Sequence, residues 1–106
     1  MLRRSAVSSL SIDDKTRLDE MCNLIDQATS DILNSVDWSA NMQLVDQINA
    51  TGNVIMLQEV VRHTRKRLQM KVPRVIMNSL TLIETLVMNC HTKFQQQVAT
   101  EKFMNT

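Results

Sequence analysis

Three groupings in this chain use residue types that do chemistry: the neighbours Cys90 and His91, a basic run from Arg62 to Arg74, and Trp38 with Met42 and Asp46. A cysteine beside a histidine suggests a thiolate and its base. Consecutive helical positions point roughly 100° apart, so two such side chains do not face each other. One glycine, Gly52, occurs in 106 residues, so Cys90 has no glycine loop to hold an oxyanion, and no third group orients His91. Glu84 has no acidic residue within a helical turn, which removes paired-carboxylate chemistry. Cys22 and Cys90 lie far apart, each at an apolar helical position, and imply neither a disulfide framework nor a zinc spacing. The expectation is a non-enzymatic chain with reduced thiols, no catalytic residue, no metal and no cofactor.

Arg62, Arg65, Lys66, Arg67, Lys71 and Arg74 allow two readings. They could form a solvated helix end, where the dipole favours each cation by about 0.3–1 kcal/mol. They could also meet an anionic membrane surface, at about 1 kcal/mol per basic residue. No Phe or Tyr is interleaved, which disfavours nucleic acid. His63, inside the run, is expected to be exposed. The net charge of +1 conceals a split: residues 1–53 carry four basic and eight acidic side chains, and residues 54–106 carry eight and three. Such a field can steer a partner but says nothing of fold.

Trp38 is the only tryptophan. It reads either as a core anchor or, with Met42 one turn on and Asp46 a turn further, as a patch for a partner that is apolar with a basic rim. Tryptophan is enriched at interaction hot spots.

The elements that must position these groups are helical. Aromatics are 3% of the chain, proline occurs once, and strand runs bounded by turn residues are absent. No apolar run reaches the roughly 18–20 residues of a membrane span, and the start lacks a signal-peptide centre. Residues 1–12 read as a tail. Asp13 or Asp14 caps a first helix carrying Leu18, Met21, Cys22, Ile25 and Ala28, followed by a turn or short helix at Ile32 and Leu33. A second helix, from about Trp38 to Asn49 and capped by Asp37, carries one stripe of Ala40, Leu44 and Ile48 and another of Trp38, Met42 and Val45. Gly52 supplies free backbone after it. A third helix, from about Val54 to Leu68, buries Leu57, Val60, Val61, Thr64 and Leu68. Pro73 opens a long helix in which Ile76, Leu80, Ile83, Val87, Cys90 and Phe94 alternate spacings of four and three. Val75, Ser79, Leu82 and Leu86 make its second face. A helix apolar on two faces is expected between neighbours, with Leu80, Ile83 and Val87 nearly inaccessible. Val98, Phe103 and Met104 fall at helical positions in a final segment. The eight methionines sit mostly at core spacings.

Several segments, taken in order, resemble the VHS domain, the N-terminal superhelix of endosomal and Golgi sorting adaptors. "IDQATS" (25–30) resembles the end of the family's first helix and "VDWSANMQLVDQIN" (36–49) its Asp-Trp second helix. "KVPRVIMNSLTLIETLVMNC" (71–90) resembles its long helix with the Leu-Thr-Leu-x-Glu and Asn-Cys signatures, and "FQQQVATEKF" (94–103) the segment after it. The likeness runs from about Leu24 to Met104. His91 stands where the family usually has glycine and Gln95 where it usually has histidine, so the long helix is expected to run on through His91.

The resemblance implies an all-α, right-handed superhelix of antiparallel helices, ENTH/VHS-like, with about five to six helices in a single domain over 1–106. Family members look like eight-helix objects, so the expectation is a fragment or shortened member lacking the last helices. The acidic-dileucine cargo grip of those helices does not carry over. In ubiquitin-binding members the second-helix Trp and the apolar residue four positions on make the contact, which assigns ubiquitin or ubiquitinated cargo to Trp38 and Met42, with Asp46 beside them. The implied role is adaptor work in intracellular protein transport, cytoplasmic and peripheral on endosome or Golgi membranes. The alternatives are an ENTH/ANTH-like module binding phosphoinositide or anionic membrane through the basic run, and a structural helical scaffold. A more distant fourth is the nuclear superhelix that reads the RNA polymerase tail, which the Asp-Trp helix and Asn-Cys pair disfavour. A face left open by missing helices invites a dimer.

Overall fold

The computed structural model describes residues 7–100. Five helices account for most of them: α1 (Ile12–Ala28), α2 (Trp38–Asn49), α3 (Val54–Leu68), α4 (Pro73–Asn89) and α5 (Thr92–Thr100). No strand occurs among the described residues. Of the expected tail, residues 1–6 lie outside the described part, while Leu10 is buried and Val7 packs on the core. Phe103 and Met104 also lie outside it.

Side-chain caps set three of the helix starts. Ser11, not Asp13 or Asp14, caps α1 by accepting from the Asp14 backbone N–H at 3.1 Å. A short hydroxyl one residue ahead of the helix reaches the first free N–H groups; Asp13 and Asp14 fall inside the first turn, where they complement the dipole instead. Asp37 caps α2 and Asn53 caps α3 in the same way. Pro73 opens α4 without a side-chain cap, in the first turn, where its missing N–H costs nothing. The segment at Ile32 and Leu33 is irregular, and Ile32 is exposed. Gly52 does not have a positive φ; a β-carbon there would stand 3.3 Å from Lys93 Nζ. Lys71, before α4, holds the left-handed turn at φ 60°.

α1 packs on α2 and α3; α4 packs on α2 and α3; α5 packs on α3. Polar staples fix the directions. Asp26 and Thr29 at the end of α1 meet His63 and Arg67 at the end of α3, so these two helices run parallel. Asn49 at the end of α2 donates to Asn89 O at the end of α4, 3.0 Å away, which makes that pair parallel too. Gln27 donates to Asp37, joining the end of α1 to the start of α2, so α2 runs opposite to α1. This layered, alternating stack is the α–α superhelix expected from the sequence.

The core differs from expectation at α4. Its buried face is Val75, Ser79, Leu82, Thr85 and Leu86. Leu80 is 40% exposed, and Ile76, Ile83 and Val87 are half-buried. α3, with neighbours on three sides, is the inner helix. α4 packs on α2 and α3 and also touches α1 and α5, leaving Met77, Leu80, Glu84 and Met88 exposed. Leu57, Val60, Val61 and Thr64 of α3 are buried as expected, and Leu68 is half-buried.

Candidate interaction site on the second helix

α2 splits its apolar residues between two sides. Ala40, Leu44, Val45 and Ile48 are buried. Val45 thus leaves the outer stripe to which its spacing had assigned it and joins the core. Trp38 is 56% exposed and Met42 43% exposed, with Asp46 exposed one turn further on. Trp38 is therefore not a core anchor. The three residues follow one another at four-residue spacing along the outer face, and Met42 adds a contact with soft, adaptable geometry.

The start of α2 holds that face in place. Asp37 Oδ1 accepts the Ala40 N–H at 2.9 Å, and its Oδ2 accepts the Gln27 side-chain amide at 3.0 Å. The Ala40 backbone bond, then the Gln27 bond, hold the Asp37 carboxyl below its usual range. Beneath the face, Asn41 is fully buried, and its amide has no hydrogen-bond partner among the described residues.

The basic run is not one open patch. Arg62 pairs with Glu59 at 3.2 Å. Arg67 Nε donates to Thr29 Oγ1 at 2.8 Å and stands 3.8 Å from Asp26. Arg74 donates to the carbonyls of Leu33 and Asp31. Arg65 is half-buried, while Lys66 and Lys71 are exposed. His63, expected to be exposed, is half-buried and meets Asp26 Oδ1 at 2.7 Å. Its partner lies 37 positions away, and helical periodicity carries no signal for such a pairing.

Cys90 and His91 do not form a nucleophile and base. α4 ends at Asn89, and Cys90 is extended, so the helix does not run through His91. The break needs no glycine, because His91 does not take a positive φ. Asn49 supplies the reason: its Oδ1 accepts the His91 N–H at 2.9 Å. His91 Nε2 lies 3.1 Å from Ile48 O and 2.9 Å from Thr51 O, and Nδ1 accepts from Phe94 N–H at 3.3 Å. That pattern puts the proton on Nε2, where it donates to the end of α2 rather than serving the thiol. Gln95 donates to Val87 O at 2.8 Å, completing the end of α4. Burial pushes the Cys90 thiol up to about 11. Burial first, then the charges of Asp26, Asp19 and Glu59, raises Cys22 to about 11 as well. Thiols held this high stay protonated near neutral pH and are poor nucleophiles. No group of three His, Cys, Asp or Glu is placed to hold a metal among the described residues.

A family model, the VHS domain, matches residues 16–106. The chain belongs to the VHS domain family. TOM1-like protein 6 of Arabidopsis thaliana is 41% identical over 80 residues, covering 76% of this chain and 12% of that protein. TOM1-like protein 2 of Homo sapiens is 35% identical over 83 residues, 77% of this chain and 16% of that protein. The Mus musculus protein named Target of Myb1 membrane trafficking protein is 36% identical over 81 residues, 76% of this chain and 16% of that protein. This VHS chain thus spans 12–16% of the length of these relatives. No solved structure gives a significant match. No helix among the described residues is long and apolar enough to cross a membrane.

Proposed function

We propose that the chain is a non-enzymatic adaptor module of membrane trafficking that holds ubiquitin, free or on cargo, weakly against the outer face of α2. The observation that carries this reading is the exposure of Trp38 and Met42 on a helix whose other large apolar side chains are buried. An exposed tryptophan costs solubility unless a partner covers it, and here a methionine and a carboxylate continue the same face. Ubiquitin's apolar patch with its basic surround suits that combination, Asp46 facing the basic rim. VHS membership and a relative named for membrane trafficking support the setting, and peripheral attachment to endosome or Golgi membranes belongs to the same proposal. A titration of ubiquitin into the chain tests it, with Trp38→Ala as the decisive variant.

Attraction to anionic membrane is the second reading. The exposure of Lys66 and Lys71 favours it. It ranks lower because Arg62, Arg67 and Arg74 are engaged within the chain.

A further inference from the structure

A channel runs between α1 and α2, alongside the Trp38 face. Two hollows of about 240 and 280 Å³ share Glu20 and Gln47 and so join end to end. Asn23, Gln27 and Gln43 line the first, and the buried Met21 and Met56 underlie the second. The first hollow opens beside the face: Gln27 holds Asp37, the cap before Trp38, and Gln43 follows Met42. We infer that the channel takes the C-terminal tail of ubiquitin while the body of ubiquitin sits on Trp38 and Met42. The inference rests on the ubiquitin reading above and adds a second contact to it.

The lining suits an extended, basic, partly apolar peptide. Extended backbone leaves N–H and C=O groups unpaired, and side-chain amides can donate and accept at once. Asn23, Gln47 and the Glu20 carboxylate are engaged in no hydrogen bond or ion pair among the described residues. Gln27 and Gln43 each commit an amide N–H, to Asp37 and to Ser39, and keep a carbonyl oxygen that can accept. Ubiquitin's tail alternates leucine with arginine and ends in two glycines. Around α2, Asp46 lies between Met42 and Gln47, so one arginine passes Asp46 on its way in and the next reaches Glu20. A leucine meets Met21 and Met56, whose thioethers adapt to its shape. Arg17, the one cation lining the channel, stands at the far end, where the glycines arrive rather than the arginines. From Gln27 to Arg17 the channel follows α1 for about 15 Å, the reach of four to five extended residues at about 3.3 Å each. Charge agrees, since residues 1–53 carry eight acidic and four basic side chains. A tail joined to cargo keeps every group used here, because its terminal carboxylate is not among them.

NMR titrations of the isotope-labelled whole chain with full-length ubiquitin and with ubiquitin lacking its tail separate the two contacts. Full-length ubiquitin should shift the Trp38 and Met42 amides together with the side-chain amides of Asn23, Gln43 and Gln47. Tail-less ubiquitin should shift only the first group and bind at least about threefold more weakly. Glu20→Lys should weaken full-length ubiquitin by a similar factor through repulsion with the tail's arginines, and should leave tail-less ubiquitin unaffected. The comparison of the two ubiquitins on the parent chain retains its force even if Glu20→Lys loses helical signal. Equal Kd values for the two ubiquitins, unchanged side-chain amide shifts without the tail, or full-length binding indifferent to Glu20→Lys would overturn the channel contact and leave the Trp38 face standing. No shift with either ubiquitin would overturn both.

Discussion

Asp37 acts twice at the start of α2, capping the helix and holding Gln27 of α1. Its carboxyl is held below the ordinary value of 3.8 by the Ala40 bond and then the Gln27 bond. A depressed carboxylate contributes stability that is complete above its unfolded pKa and is lost as pH falls through the lower folded value. The first turn of α2, Trp38 included, should therefore loosen only on acidification below about pH 4, and backbone amide shifts of Trp38 to Ala40 would report it. Asp37→Ala should cost about 0.5–2 kcal/mol in thermal or denaturant unfolding and flatten that acid response. Asp37 was legible as a cap because a short acceptor stood one residue ahead of the apolar pattern. His63 and His91 were not, because their partners, Asp26 and the Ile48 and Thr51 carbonyls, are distant in sequence.

α4 shows what periodicity supplies and what it leaves open. Both apolar stripes were visible in the sequence, yet nothing in a stripe says which one meets a neighbour. The structure buries Leu82 and Leu86 and leaves Leu80 partly open. Leu82→Ala should thus cost about 2–5 kcal/mol as a core truncation. Leu80→Ala, at a site already partly hydrated, should cost roughly half that or less, and Ile83→Ala should fall between them. Urea unfolding of the three variants checks the order. Equal losses would mean that the open face of α4 is as enclosed as the buried one. The ends of the elements were readable at Trp38, Asn49, Val54 and Pro73, where Asp37, the Gly52-Asn53 turn or Pro73 marks a boundary, and at Leu68, where a basic run closes the helix. The break after Asn89 was not, because Asn49 makes it from another helix.

Across the whole molecule, the fold class could be read from composition, helical spacing and family segments, whereas the exposure of Trp38 and Met42 was one of two readings that spacing left open. The fate of the basic run could not be read, since guanidinium groups find carbonyl and carboxylate partners that spacing does not reveal. The two exposed lysines should give only weak, salt-sensitive sedimentation with anionic vesicles, and Lys66→Glu with Lys71→Glu should abolish it. Equal sedimentation with neutral and anionic vesicles would leave these cations as solvated helix ends. The central claim concerns the opposite, acidic part of the chain. Two apolar side chains on one helix bury little area, so the complex should be transient. An NMR titration of the isotope-labelled chain with ubiquitin should give a Kd of roughly 0.1–1 mM, or about 4–5.5 kcal/mol. Shifts should centre on Trp38, Met42 and Asp46, and Asp46→Lys should weaken the complex through repulsion with the basic rim. Trp38→Ala should remove most of the binding and keep the helical spectrum. Undisturbed resonances at millimolar ubiquitin, or an unchanged Kd in Trp38→Ala, would contradict the account.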